Sequence, residues 1–375
     1  MAMIYFDNAA TTFPKPRCVL DKTEFCLKKY CGNAGRSSHS LSLRSSEEIY
    51  YTREMLANHI GIDTPEQIVF TYNATYALNL AIKSLITQKC HILISDFEHN
   101  SVIRPLEKLK ELIGIEYDCF KTDGDIKKAL NAALRPDTRV IISSIASNVT
   151  GENIPIKILS DFASENSLML IIDASQALGH TEINLTETPC DAFCAPGHKG
   201  LFGIQGSGFV YFKEKTRRES FIEGGSGSDS ASKYMPVLLP EGYEAGTLST
   251  PAIVSLGAGL EYIEKTGLER INEKMNFLTN CAYERLSNIN GIRIYKRGCG
   301  IISFNLGDIP SSTVAALLDK RGICVRGGLH CAPMIHKKLG TMRQGAVRIS
   351  FSYLNRKKEV DRFYSAIKSI SHSLT

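Results

Sequence analysis

Four short apolar runs without strict polar alternation, interleaved with stretches of helical period, limit this chain's fold more than any other feature. The runs are Gln67–Thr71, Ile92–Ser95, Val140–Ser144 and Leu168–Ile172. Between them, Ala77–Ile86, Val102–Leu112 and Ile156–Glu165 carry apolar residues at helical spacing. Strands apolar on both faces need cover on both faces. The alternation therefore predicts an α/β fold, a mostly parallel central sheet covered by helices. Upstream, Ile4–Phe6 reads as a short strand running into small residues, Gly32–Ser40 as a polar loop, and Leu43–Ile60 as a helix stopped at Gly61.

After Pro251 the pattern changes. Two long helical segments, Ala252–Lys265 and Leu268–Ile289, lead to the strand-like runs Ile292–Tyr295 and Ile301–Phe304. A helix over Thr313–Lys320, a loop over Val325–Pro333, a strand over Val347–Phe351 and a closing helix from Glu359 complete the chain. This predicts a smaller α+β unit. The expected division is 15–250 for the large domain, with 1–14 and 251–375 forming the small one; 375 residues suffice for two cores.

The net charge of +5 is dispersed without a basic run, so no nucleic-acid partner is expected. No apolar run reaches membrane-spanning length. The eleven cysteines are scattered and form no CxxC pair, which argues against a metal or disulfide framework. The opening Met-Ala-Met-Ile-Tyr-Phe-Asp carries no secretory pattern, and a reduced, cytoplasmic setting is expected.

The chemistry centres on Cys194–Gly203, where Lys199 lies between an apolar run and a glycine-rich turn leading to the strand Gly208–Phe212. A lysine so placed reaches a cleft unobstructed, as Schiff-base chemistry with an aldehyde cofactor requires. Ligands of open α/β sheets sit beyond the carboxyl ends of the strands, and the residues at those ends form a set. Asn73-Ala74-Thr75 opens a helix whose free N–H groups suit a phosphate. His99 follows the next strand and suits stacking on a flat ring. Asn148 follows the third, and Asp173 ends the fourth, where a carboxylate can pair with a pyridinium N–H. Together with Lys199 these describe a pyridoxal 5′-phosphate (PLP) site.

The chain resembles the class V aminotransferase group of fold-type I PLP enzymes, and within it the cysteine desulfurases and selenocysteine lyases. The resemblance runs end to end. It rests on Asp7–Thr12, Glu98-His99, Ser147–Gly151, Asp173–Gln176, Gly197-His198-Lys199, Glu244–Thr247, Arg326–Ala332 and Val347–Ser350. It implies that Lys199 binds the cofactor covalently and moves protons, that His99 stacks on the ring, and that Asp173 and Gln176 bond the ring nitrogen and ring hydroxyl. Ala74, Thr75 and His198 would hold the phosphate, joined by Thr247 from the partner of a homodimer. Asn148 and Arg348 would contact the substrate, Arg348 clamping its carboxylate beside Asn8 and Ala9.

Cys331 distinguishes a desulfurase from an aminotransferase. A desulfurase needs a thiolate to take sulfur from L-cysteine as a persulfide, releasing L-alanine. The neighbours His330 and Arg326 are expected to favour that thiolate. The Cys331 motif is closer to the group II (Suf-type) pattern than to the long mobile loop of group I, although Arg-Gly-Gly-Leu-His-Cys is not its usual wording. Pro196 replaces the serine the family uses to bind phosphate. The resemblance also implies a sulfur-acceptor protein, and leaves open an iron–sulfur scaffold, a tRNA-thiolation protein or a free thiol. Selenocysteine lyase, or another class V aminotransferase or lyase in which Cys331 is incidental, are the alternative activities.

Overall fold

The computed structural model describes residues 3–374 apart from 36, 215, 217, 218 and 229. Its strands are β1 (Ile4–Tyr5), β2 (Ile68–Thr71), β3 (His91–Ser95), β4 (Glu116–Phe120), β5 (Thr138–Ser144), β6 (Met169–Asp173), β7 (Ala192–Pro196), β8 (Gly208–Phe212), β9 (Ile292–Gly298), β10 (Ile301–Leu306), β11 (Ile323–Cys324), β12 (Arg326–Gly328) and β13 (Ala346–Ser350). Seven of them form the main sheet in the order β2-β8-β7-β6-β5-β3-β4. Only β8 runs against its neighbours. It does so because it returns directly from β7 through the loop that carries Lys199, with no crossover helix between them.

Every residue of β2, β3, β7 and β8 is buried, as double-sided cover demands. Successive side chains enter opposite layers. Leu93 joins Phe70, Ile141 and Phe193 against helices Ser40–Ile60, Ile156–Glu165 and Thr250–Thr266. Ile92 and Ile94 join Val140, Ile171 and Val210 against helices Ala74–Leu85 and Asn100–Ile113.

The second unit is the antiparallel sheet β12-β13-β10-β9. Its Ile302, Phe304, Val347 and Ile349 pack with Leu278 and Leu286 of helix Leu268–Ser287, Val314 of helix Ser311–Asp319 and Phe363 of helix Lys357–Leu374. Ile4 and Phe6 complete this core, and β1 pairs in parallel with β11. That docking carries Asp7, Asn8 and Ala9 to the side of Arg348.

Five elements lie where no regular structure is expected from the sequence. The edge strand β4, Glu-Tyr-Asp-Cys-Phe, exposes carboxylates that Arg135 pairs at its rim, so it lacks an apolar run. Helices Arg17–Lys29 and Ile126–Ala133 are short on buried side chains, Val19 and Cys26 in the first and Leu130 in the second. The expected loop Val325–Pro333 contains β12 and leads into a short helix, Pro333–Leu339.

Candidate active site

The ends of β2, β3, β5, β6 and β7 open into one cleft. It is lined by eight residues singled out in the sequence: Ala74, Thr75, His99, Asn148, Asp173, Gln176, His198 and Lys199. Lys199 also borders an adjoining space lined by Asn8 and Ala9. Its loop is tied down by the N-terminal segment. Thr12 Oγ1 donates to the Lys199 carbonyl at 2.5 Å, and Lys15 Nζ donates to the His198 carbonyl at 2.9 Å. Burial lowers the Lys199 pKa to about 8, Asp173 opposing and Arg348 reinforcing the shift. A fraction of its amine is therefore free near neutral pH.

His99 caps helix Asn100–Ile113, its Nδ1 accepting the Ser101 N–H at 3.0 Å. A ring nitrogen that accepts from a backbone N–H carries no proton, so the proton sits on Nε2. Burial lowers the His99 pKa to about 4, which keeps the ring neutral. Asp173 Oδ1 accepts from the Ser175 N–H at 2.9 Å.

Beside Asp173 lies Glu98, a carboxyl given no role in the sequence reading. Its Oε1 accepts from the Ser95 hydroxyl and the Ser144 N–H, its Oε2 lies 3.1 Å from Ser144 Oγ, and Ser144 Oγ reaches Asp173 Oδ2 at 3.5 Å. Burial raises its pKa to about 8 against those hydrogen bonds, so Glu98 holds its proton at neutral pH. Glu98→Gln copies that protonated group, and activity is expected to stay within about fivefold of wild type, whereas Asp173→Asn should cost about a hundredfold. Equal losses in parallel assays would show that Glu98 works as an anion.

Two features fit a phosphate. Asn73 caps helix Ala74–Leu85 through the Tyr76 N–H, and among the described residues no acceptor meets the N–H groups of Ala74 and Thr75. His198 Nδ1 is buried without a partner. Thr75 Oγ1 bonds Ser101 Oγ at 2.7 Å. Pro196 lines the cleft and supplies no donor.

Arg348 is almost wholly buried. It donates from Nη2 to Asp7 Oδ1 at 2.8 Å and from Nη1 to the Asn148 carbonyl at 2.9 Å, while Nε has no partner. The Asn148 side chain donates to the His330 carbonyl at 2.8 Å, leaving Oδ1 unpaired. Asn8 spends its amide on Ser350 and Asn355, and the Gln176 amide donates to the Ala9 carbonyl at 2.9 Å. Thr247 is exposed and lies outside the residues lining this cleft.

Cys331 is exposed, and its carbonyl accepts the N–H of Asn100, the residue after His99, at 2.8 Å. His330 and Cys331 both occupy the left-handed region, at φ 52° and 57°, which non-glycine residues rarely adopt. Arg326 Nη2 lies 3.8 Å from the Cys331 sulfur. His330 does not act that way. The Arg326 carbonyl can only accept, so His330 Nε2 is the donor there and its Nδ1 accepts from His336. Burial, then the Arg348 charge, drives the His330 pKa well down, and the ring is a neutral prop rather than a cation.

The class-V aminotransferase model matches residues 4–363. The chain belongs to that family. A probable cysteine desulfurase of Methanothermobacter thermautotrophicus is 31% identical, covering 98% of this chain and 94% of the relative. A cysteine desulfurase of Salmonella agona is 30% identical over 100% and 95%. A solved cysteine desulfurase structure from Thermococcus onnurineus NA1 superposes with a TM-score of 0.92 at 29% identity, covering 99% of this chain and 95% of that one. For this class-V family member the fold expected from the sequence, fold-type I with a smaller C-terminal sheet, is the fold found.

Proposed function

We propose that this class-V family member is a PLP-dependent cysteine desulfurase in which Cys331 receives the sulfur. The observation that carries the reading is an exposed thiol, 3.8 Å from a guanidinium, hydrogen-bonded through its own backbone to the residue after His99. An aminotransferase has no use for a thiol there. The full-length similarity to cysteine desulfurases points the same way.

The N–H groups of Ala74 and Thr75 and the unpaired His198 Nδ1 would hold the phosphate. Asp173 would meet the ring nitrogen, Gln176 the ring hydroxyl and the neutral His99 ring one face. Bound PLP supplies an electron sink for the substrate's carbons. Arg348, steered by Asp7, retains Nε–H for the substrate carboxylate, and Asn148 Oδ1 remains an unpaired acceptor for a substrate donor. Lys199, with an amine free near neutral pH, moves the proton at the substrate carbon. The Cys331 thiolate then bonds the substrate sulfur as the C–S bond breaks. The bond's electron pair stays with carbon, Lys199 protonates that carbon, and L-alanine leaves while a persulfide remains.

The short Cys331 segment, framed by β12 and helix Pro333–Leu339, supports the group II reading over a long mobile loop. A homodimer is supported by the large apolar side chains left exposed, among them Phe25, Leu27, Leu43, Tyr234, Val237 and Leu238, some of which a second copy would cover. Thr247 would then reach the partner's phosphate. A sulfur-acceptor protein or thiol would collect the persulfide. No described helix is long and apolar enough to cross a membrane, and a cytoplasmic setting fits the reduced thiol chemistry.

The test is L-cysteine with a reductant. Equal release of alanine and sulfide supports the desulfurase; amino transfer that depends on an added α-keto acid overturns it in favour of an aminotransferase. Turnover of selenocysteine alone would make the chain a selenocysteine lyase.

A further inference from the structure

Helix Pro333–Leu339 starts two residues beyond Cys331 and carries Lys338 in its last turn. That side chain crosses to the large unit. It donates to Asp96 Oδ2 at 2.7 Å and Thr122 Oγ1 at 3.1 Å, and pairs with Asp123 Oδ2 at 2.9 Å. The ammonium also lies 5.7 Å over the ring of Phe97, which lines the cleft. The lysine side chain is 22% exposed and Asp96 10%, so water screens this pair less than an open surface bridge.

The partners are themselves held. Asp96 Oδ1 accepts from the Thr122 hydroxyl at 2.5 Å, and Asp123 is shared with Lys296, which also pairs with Glu152 at 2.6 Å. Residues 96–100 thus meet the small unit at two points. Asp96 takes Lys338 from the far end of the helix, and the Asn100 N–H takes the Cys331 carbonyl ahead of its near end. A segment fastened at both ends has one orientation, whereas one bond alone leaves it free to pivot.

We propose that Lys338 is a positioning residue that straps the Cys331 segment to the His99 side of the cleft. The proposal rests on Cys331 being the sulfur-receiving thiol. Lys338 touches neither the cleft's polar groups nor the thiol; it acts through the Asn100–Cys331 bond. The left-handed pair His330-Cys331 is a conformation that surrounding bonds must impose, and the strap is one of them.

The experiment compares wild type, Lys338→Met and Lys338→Arg as PLP-loaded enzymes. It reads hydrogen exchange at the Asn100 amide together with kcat and KM for L-cysteine. In Lys338→Met the Asn100 amide should exchange about three- to tenfold faster, the scale of one shielded ion pair. Over the same range kcat should fall, with KM within about twofold and the PLP absorbance unchanged. Lys338→Arg, which keeps the charge, should return both towards wild type. Unchanged Asn100 exchange in Lys338→Met, or faster exchange with unchanged kcat, would overturn the strap. Activity surviving Cys331→Ala is a different failure, that of the thiol reading itself.

Discussion

Cys331→Ala stops sulfide release from L-cysteine, with an expected loss of at least about a hundredfold, while the PLP absorbance persists. The substitution removes only an exposed sulfur, so it leaves no cavity in a core. The left-handed backbone at this position is also no harder for alanine than for cysteine. Loss of activity therefore reports chemistry rather than folding. The guanidinium of Arg326 sharpens the result, since Arg326→Ala should lower the rate less than removing the thiol itself. A Cys331→Ala enzyme as active as wild type would make the thiol incidental and return the chain to the lyase or aminotransferase readings.

Lys199→Ala is expected to lower turnover by about 10²–10⁴-fold, because a single side chain both carries the cofactor and moves the proton. The pH dependence gives a second measure of the same group. Its pKa is lowered to about 8, so the reactive neutral amine is scarce below that pH and dominant above it. The rate at which the apoprotein captures PLP should rise with pH through a midpoint near 8. Stopped-flow absorbance at stepped pH reads it directly. A midpoint near the ordinary lysine value would show that burial does not tune this amine.

The large-unit strands were legible because a strand buried on both faces is apolar through its middle, as Ile92–Ile94 of β3 and Phe209-Val210 of β8 are. The strand β4 was not, since an edge strand keeps one rim in water and tolerates Glu116 and Asp118. The residues of the cleft could be named in advance for a related reason. Ligand sites of this fold lie at strand ends, and Asp173, His99 and Lys199 stand where apolar runs stop.

What sequence alone determined, then, is the layer order, the fold family and the identity of the chemical groups. Tertiary structure decided what those groups are able to do. Glu98 keeps its proton because burial outweighs the bonds from Ser95 and Ser144. His330 is a neutral prop because Arg326 O and His336 take its ring nitrogens, while Arg326 itself reaches the thiol. Lys338 bridges to Asp96 across 242 positions of chain, a pairing that no local pattern encodes. Periodicity records which face of an element is dry, but protonation and ion pairing depend on neighbours that only folding brings together.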